Sequence, residues 1–356
     1  MSKPNTSQNG QPSALRQLTK GPNLKWNLVL VCLLAAEFLI FGLANPKFLS
    51  LNRIFIAATG DLPIWYISLF VTFVMITGGI DIQSCAIVGF TSIIIGVGWQ
   101  GFGMNIWAAA LLGVVIATLC GALSGFFVAY CGVQAMVVTL GGSFLYGGLA
   151  LLVSTLSGTA AYNGISGFPD SFKNLSKTSV GPVPLPIIIF LLMLVCAYIL
   201  LHRSKYGRKV FLVGVNPQAA EYSGISSRAV TMSTYVLSGL AAGITGVVMT
   251  SQLGIAKSDL GGNFTMMIIT ACVLGGTLST GGKGSVIGTA LAAIAITLVR
   301  FGMPLCFNIN KQYLDIPIGV LLVVVVVGRA LANNPTVIAK IGKLREGRKK
   351  DAAGVR

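Results

Sequence analysis

The sequence predicts an all-α integral membrane protein of about ten transmembrane helices of roughly 20 residues each, with both termini in the cytoplasm (N-in/C-in) and several short or discontinuous helices. Of the 356 residues, 54% are hydrophobic and only 10% are charged, whereas about 25% of the residues in a soluble domain are charged. The mean hydropathy of +0.83 also excludes a disordered chain, because disorder requires low hydrophobicity and high net charge.

Ten apolar runs give the predicted spans. Several are short or interrupted by glycine, which a membrane protein tolerates where neighbouring helices shield the freed backbone groups. The 44 glycines include the GxxxG pairs 121/125, 239/243 and 284/288, which indicate helices that pack closely through small residues. The runs are 27–45, 55–78, 84–100, 105–130, 135–154, 184–201, 228–250, 264–279, 284–306 and 314–331.

Basic residues indicate the orientation of these spans. With the N-terminus inside, eighteen of the 25 Lys and Arg residues fall on the cytoplasmic side and seven on the outer side, in accord with the positive-inside rule. Segment 1–25 is then a cytoplasmic tail, 26–331 the transmembrane domain, and 332–356 a basic cytoplasmic tail. We expect the net charge of +16 to set topology and contact anionic membrane lipid, and we expect no nucleic-acid binding.

Residues that build catalytic or metal sites are scarce. His202 is the one histidine, and the seven cysteines are scattered without a CxxC pair, so we expect neither a metal site nor a disulfide framework. Gly96–Gly101 closes an apolar run and Gly275–Lys283 departs from the P-loop spacing, so neither is predicted to bind a nucleotide. A membrane enzyme is therefore disfavoured, and we predict no cofactor on this chain.

Two acidic residues stand out by position. Glu37 is the one carboxylate deep within an apolar run, whereas an ion-coupled carrier generally needs several ionisable groups at mid-bilayer. Asp81 follows Gly78-Gly79-Ile80 at a predicted helix junction. There it either caps the next helix, as carboxylates do, or contacts a substrate, and we favour the structural cap.

Segment 202–227 is the longest predicted cytoplasmic loop. Asn216-Pro217 is predicted to cap and begin a short helix, and Gly224 is predicted to end it. Such a helix either docks a partner or belongs to a basic loop that only sets topology, and the spacing does not decide between these interpretations.

Four motifs occur in order along the predicted spans. They are Gly78-Gly-Ile-Asp81; Val138-Thr-Leu-Gly141; Tyr206-Gly-Arg208 with Gly214-Val-Asn216, Ala219-Ala220 and Ser223-Gly-Ile225; and Val273-Leu-Gly-Gly-Thr277 with Gly281-Gly-Lys-Gly-Ser-Val-Ile-Gly288.

In this order, the motifs resemble the ribose-type permeases of bacterial ABC importers. Within that family, four further stretches resemble the permeases of autoinducer-2 importers, although Gln83–Cys85 departs from the family pattern after Asp81. These stretches are Tyr162–Pro169, Val183–Phe190, Ala256–Gly261 and Val323–Arg329.

The resemblance implies the partners and the location of the protein. It implies a separate cytoplasmic ABC ATPase that binds ATP and Mg, a second related permease in a heterodimer, and a periplasmic binding protein. It also implies a permease subunit in the bacterial inner membrane that translocates autoinducer-2. Ribose or another monosaccharide is the alternative cargo, and an ion-coupled carrier is the less favoured alternative class.

Two sets of candidate site residues follow. The resemblance places the ATPase contact in the coupling loop 202–227, and the predicted contact residues are Asn216, Ala219, Ala220, Tyr222 and Gly224. Small polar residues at gaps in the fifth and eighth spans are candidates for the substrate path, although hydroxyls in helices also bond to their own backbone or to neighbouring helices. These candidates are Thr139, Ser143, Asn263, Thr265 and Thr270.

The outer loop 155–183 is unusually long and contains Tyr162, Phe168 and Phe172. Loops of this length are usually functional or disordered. It either contacts the binding protein or forms a simple surface lid.

Overall fold

The computed structural model describes residues 24–158, 163–262, 264–320, 323–324 and 327. Most of this part of the chain is helical. The predicted tail 332–356 and all but the last two residues of the predicted tail 1–25 lie outside the described residues, as does Asn263.

The first half of the chain forms six helices joined by short connections. Helices α2 and α3 meet at Asp61 with a bend of 61°, and a π-helical turn, Val97–Gly101, extends α4. The helices are α1 Leu24–Ala44, α2 Leu51–Gly60, α3 Leu62–Ile76, α4 Ser84–Gly96, α5 Ile106–Ala129 and α6 Ala135–Ser154.

The second half begins with a small surface element and then returns to long helices. Two short antiparallel strands pair Val180 with Val183, and a π-helical turn, Ile199–Arg203, ends the first long helix. The elements are α7 Asp170–Lys177, β1 Ser179–Val180, β2 Val183–Pro184, α8 Leu185–Tyr198, α9 Lys205–Val215, α10 Pro217–Tyr222, α11 Ser227–Leu253, α12 Thr265–Leu274 and α13 Val286–Phe307.

The number of spans is confirmed only in coarse form. Within the described residues, seven helices are long and apolar enough to cross a membrane, and an eighth span results if α2 and α3 are counted as one. Helix α12 has only ten residues, and much of the predicted run 314–331 lies outside the described residues. The all-helical, multi-span class is therefore confirmed, whereas ten spans with both termini inside remains a prediction.

Helix α11 packs along α5 through glycines. A Cβ on Gly121 would overlap the Tyr235 carbonyl, and one on Gly239 would approach the Ala117 carbonyl oxygen to 2.5 Å. The two backbones are therefore in contact, as small-residue pairs permit in membranes. The third GxxxG pair differs from the prediction, because Gly284 lies before α13 begins at Val286 and does not share a helix with Gly288.

Two non-helical segments enter the bundle beside α4. Segment 77–83 connects α3 to α4, and segment 254–262 runs back along α4, where a Cβ on Gly89 would overlap the Ser258 carbonyl and one on Gly261 would approach the Cys85 carbonyl oxygen. Non-helical backbone inside a membrane protein requires such protein cover. The predicted breaks between helices thus include segments 77–83 and 254–262, and both lie beside α4.

The two ends of the bundle carry different groups. At one end, α8 leads into α9 and α12 leads into α13; we call it the basic end because it carries Arg203, Lys205, Arg208, Lys209, Arg228 and Lys283. The other end, which we call the opposite end, holds α7, the β1–β2 hairpin and the start of segment 254–262.

Candidate functional site

Helix α10 lies at the basic end and has the predicted caps. The Asn216 side-chain oxygen accepts the N–H of Ala219 at 3.0 Å, and Pro217 occupies the first helical position, where its missing N–H costs nothing. Gly224 adopts φ +77° and donates its N–H to the Glu221 carbonyl at 2.9 Å. The predicted short helix is therefore confirmed, together with both of its ends.

Four of the five residues predicted to contact the ATPase are exposed on α10 and at its two ends. Tyr222 is 93% exposed, and Asn216, Ala219 and Gly224 are also exposed. Ala220, in contrast, is 4% exposed and belongs to the hydrophobic core. The prediction that Ala220 touches a partner is wrong for its side chain, because that side chain packs against the bundle.

Hydrogen bonds fasten α9 and α10 to α11. The Ser227 hydroxyl donates to the Pro217 carbonyl at 2.7 Å, and the Tyr206 and Ser233 hydroxyls lie 2.7 Å apart. Burial raises the pKa of the Tyr206 phenol, so this hydroxyl stays protonated at neutral pH. Helix α10 is therefore bonded to α11, and α11 is bonded to α9.

A glycine junction joins α9, the end of α3 and the loop before α13; its members are Gly78, Gly214, Gly281 and Gly282. Gly282 donates its N–H to the Ile76 carbonyl at 2.8 Å. A Cβ on Gly214 would overlap that same carbonyl, and Gly78, Gly281 and Gly282 have φ of +83°, +88° and +75°. Side chains other than glycine rarely adopt such angles, so three backbones meet here without any intervening side chain.

Asp81 lies five residues beyond Ile76 in segment 77–83 and is buried. One carboxylate oxygen accepts the Gln83 N–H at 3.1 Å, and the other accepts the Ser238 hydroxyl at 2.5 Å. The Ser84 and Ser238 hydroxyls are 3.1 Å apart. Asp81 thus bonds to the backbone just ahead of α4, whose N-cap residue is Gln83, and connects that segment to α11. The favoured role of Asp81 as a structural cap stays a prediction, and a substrate contact stays the alternative.

Gln83 extends this polar cluster to α5 and α6. Its side-chain oxygen accepts the Ser124 hydroxyl at 2.7 Å, and it fills the space that Gly142 leaves on α6. Among the described residues, the Gln83 amide nitrogen and the Tyr235 hydroxyl have no hydrogen-bond partner. Buried donors without a partner are rare in proteins, and the Ser68 and Thr277 hydroxyls are further examples among the described residues.

The four candidate path residues that the structure describes lie on α6 and α12. The Thr139 hydroxyl lies 3.0 Å from the Ile80 carbonyl and 2.9 Å from the Ala135 carbonyl. It therefore bonds to backbone, which is the structural alternative to a role in the substrate path. Ser143 and Thr265 are partly buried and Thr270 is buried. Helix α6 packs on α4 and α5, and α12 packs on α3 and α13. Thr265 also contacts Cys85 at the start of α4, so Thr139 and Thr265 both lie beside the stretch 80–85. Their role in the path stays a prediction.

The described part of the predicted outer loop, residues 155–158 and 163–183, folds onto the opposite end of the bundle. Phe168 and Phe172 are buried in the core, and the Ser251 hydroxyl of α11 donates to the Phe172 carbonyl at 2.6 Å. Ile165 pairs with Ala256 in an isolated bridge. Two of the three aromatics noted in the sequence therefore anchor the segment, and the third, Tyr162, lies outside the described residues.

Comparison with known proteins identifies the family. Residues 54–326 match the sequence model of the family described as "Branched-chain amino acid transport system / permease component". The chain belongs to this permease family. The permease resemblance found in the sequence is thereby confirmed.

Relatives of the permease extend the match to nearly the whole chain. The autoinducer 2 import system permease protein LsrD of Klebsiella pneumoniae is 40% identical over 309 residues, which cover 87% of the permease and 92% of the relative. The protein of the same name from Enterobacter sp. is 40% identical over 87% of the permease and 94% of its own length. The one from Yersinia pestis is 36% identical over 92% and 98%. No solved structure matches the permease.

The permease is a multi-pass protein of the bacterial inner membrane, as these relatives and its apolar helices indicate. Sequence reasoning missed the glycine junction and the pairing of Asp81 with Ser238. The Gly78-Gly79 and Gly281-Gly282 doublets were a usable signal for the junction, because adjacent glycines mark turns with positive φ. Nothing in the sequence pairs Asp81 with a serine 157 residues away.

Proposed function

We propose that the permease is the non-catalytic membrane subunit of an ABC importer that carries autoinducer-2 across the inner membrane. The observation that carries this proposal is α10: a capped helix at the basic end, with Tyr222 exposed and its inner side fixed to the core. The names of the relatives support autoinducer-2 as the cargo.

In this proposal, the basic end faces the cytoplasm, with N-in/C-in topology and about ten spans. A separate ATPase there binds ATP and Mg and presses on Asn216, Ala219, Tyr222 and Gly224. Tyrosine supports such a role because it is enriched among residues that dominate interface energies.

Motion then passes from α10 through the glycine junction to the break beside α4. Helix α9 carries Gly214 against Ile76, and segment 77–83 leads from there to Asp81 and its contact with Ser238 on α11. Close-packed backbones have no soft side chains between them, so a shift at α9 displaces α3 and α4 directly. A packed core of this kind switches between arrangements rather than deforming continuously.

The remaining partners occupy other surfaces. We propose that a second related permease completes the pathway as a heterodimer and that a periplasmic binding protein delivers cargo to the opposite end. The anchored segment 155–183 supports the latter, because burial of Phe168 and Phe172 gives a docking protein a fixed surface.

The test reconstitutes the permease with its ATPase and second permease in vesicles and measures binding-protein-dependent uptake of labelled autoinducer-2. We expect uptake only with ATP, and competition by unlabelled autoinducer-2 but not by ribose. Competition by ribose instead would reassign the cargo. Accumulation in vesicles that contain the permease alone, without nucleotide, would overturn the proposed class.

A further inference from the structure

A shallow, open depression of about 400 Å³, which we call the groove, lies along one side of α8 toward the basic end, and all of its lining residues belong to α8, the turn that follows it and the adjoining Ser204. Five of its side chains are apolar, and Leu192, Val195 and Ile199 are strongly exposed. The groove is lined by Leu192, Val195, Cys196, Ile199, Leu200 and Ser204.

The local backbone fixes the shape of this groove at the basic end. Helix α8 changes there into the π-helical turn Ile199–Arg203, a wider turn that is common at functional sites. The Ser204 hydroxyl then donates to the Leu200 carbonyl at 2.6 Å and accepts the Gly207 N–H at 3.1 Å. Because Ser204 is the N-cap of α9, the groove ends where the chain bends away from α8.

Positive charge collects where the groove ends. Arg203 follows Ile199 and Leu200 by one helical turn, and Lys205, Arg208 and Lys209 follow in α9; all four are exposed. The sequence contains no Asp or Glu between Asp170 and Glu221. An apolar groove that leads to cations with no ion pair among the described residues is complementary to a molecule with a hydrocarbon chain and an anionic head.

We propose that this groove binds an anionic glycerophospholipid, with an acyl chain along Leu192, Val195 and Ile199 and its phosphate at Arg203 and Lys205. The inference rests on the proposed orientation, because the basic end then lies at the inner leaflet, where anionic lipids attract basic residues beside the membrane. A zwitterionic lipid fits less well, since its ammonium group is repelled by the same cations.

The test measures lipids retained by the purified full-length permease in mild detergent, using native mass spectrometry with added phosphatidylglycerol or phosphatidylcholine. We expect selective retention of phosphatidylglycerol. Retention should fall about tenfold in Arg203→Gln/Lys205→Gln, given the contribution of each basic residue near an anionic surface. Cys196→Trp should lower it similarly by filling the groove without changing charge.

Matched variants separate this site from general effects. Lys173→Gln/Lys177→Gln removes two cations at the opposite end, and Leu191→Trp adds bulk to α8 on a residue that does not line the groove. Both should retain phosphatidylglycerol like the wild type. Equal retention of the two lipids, or equal loss in the site and control variants, would overturn the proposal.

A second permease is the competing occupant of the groove. Cys196 is exposed, so a lipid-soluble maleimide followed by peptide mapping reports its accessibility in the assembled transporter. Protection only after the second permease is added would make the groove a protein interface and reject the lipid. Neither measurement uses ATP or cargo, so failure of lipid binding is distinguishable from failure of the transport function.

Discussion

Gly282 donates its backbone N–H to the carbonyl oxygen of Ile76 at 2.8 Å, although the two residues are 206 positions apart in the sequence. The bond joins the loop before α13 to the end of α3, and Gly214 of α9 lies against the same carbonyl. Helix α9, which leads directly into the helix proposed to receive the ATPase, is therefore only one backbone contact away from segment 77–83, which contains Asp81.

The substitution Gly214→Ala should disrupt the contact between α9 and the end of α3, and with it the proposed coupling to segment 77–83. Its Cβ would overlap the Ile76 carbonyl and the Gly282 nitrogen, and overpacking of this kind costs about 1–3 kcal/mol. We expect ATP-driven uptake to fall about tenfold or more, corresponding to at least about 1.4 kcal/mol, while the protein still inserts into the membrane.

Gly60→Ala is the matched control for this variant. Gly60 ends α2, and a Cβ there meets nothing within 4 Å, so uptake should equal that of the wild type. Wild-type uptake by the Gly214→Ala permease, measured in the same vesicles, would contradict the proposed route through the glycine junction.

Tyr222→Ala should weaken the association of the permease with its ATPase. The side chain is 93% exposed at the end of α10, and truncating a dominant interface tyrosine costs about 2 kcal/mol or more. Co-purification at limiting ATPase should drop by more than about tenfold. Tyr313→Ala, at an exposed position beyond α13, serves as the control, and an equal loss in both variants would argue against a specific surface at α10.

Ala220→Leu should lower the stability of the permease fold and not directly affect its contact with the ATPase. Ala220 is buried beside α11, so the larger side chain should destabilise the fold by about 1–3 kcal/mol. The measurement is the apparent melting temperature in detergent, compared with Ala219→Leu at the neighbouring exposed position. A lower melting temperature for Ala219→Leu than for Ala220→Leu would be inconsistent with the orientation of α10.

Ser238→Ala removes a hydroxyl that donates to the buried Asp81 carboxylate. Leaving a buried acceptor without this donor costs about 1–3 kcal/mol, so the apparent melting temperature should fall. Thr59→Ala removes an exposed hydroxyl that bonds to the Ile56 carbonyl and should have little effect. An unchanged melting temperature for Ser238→Ala would show that the pair does not stabilise the break.

Arg300→Met should destabilise the contact between α13 and the bend that joins α2 to α3. The Arg300 Nε lies 3.1 and 3.2 Å from the two Asp61 carboxylate oxygens, at the bend between α2 and α3. Hydrogen bonds to charged groups contribute about 1.5–3 kcal/mol. Thermal unfolding should show a larger loss than for Lys173→Met, whose partner Asp170 is solvent-exposed, because exposed pairs contribute at most about 1 kcal/mol.

Much of the fold and part of the site follow from local sequence patterns. The apolar runs locate the long helices to within a few residues, as for 135–154 and α6. The Asn216-Pro217 start and the Gly224 stop define α10, because helix caps depend on residues only a few positions apart. The partners of the residues in segment 77–83 could not be predicted in this way, because hydrogen bonds between side chains on different helices have no fixed separation in the sequence.

The sequence by itself determined that this protein is a bundle of apolar helices with a basic capped segment and breaks at glycines. Hydrophobicity, charge and backbone freedom are properties of single residues and their near neighbours, so they are readable from sequence order. Only the tertiary structure decided that Ala220 faces the core, that Thr139 bonds to the Ile80 carbonyl, and that Gly214 meets Ile76. These facts depend on which helix faces come together, and close packing between distant segments sets that choice.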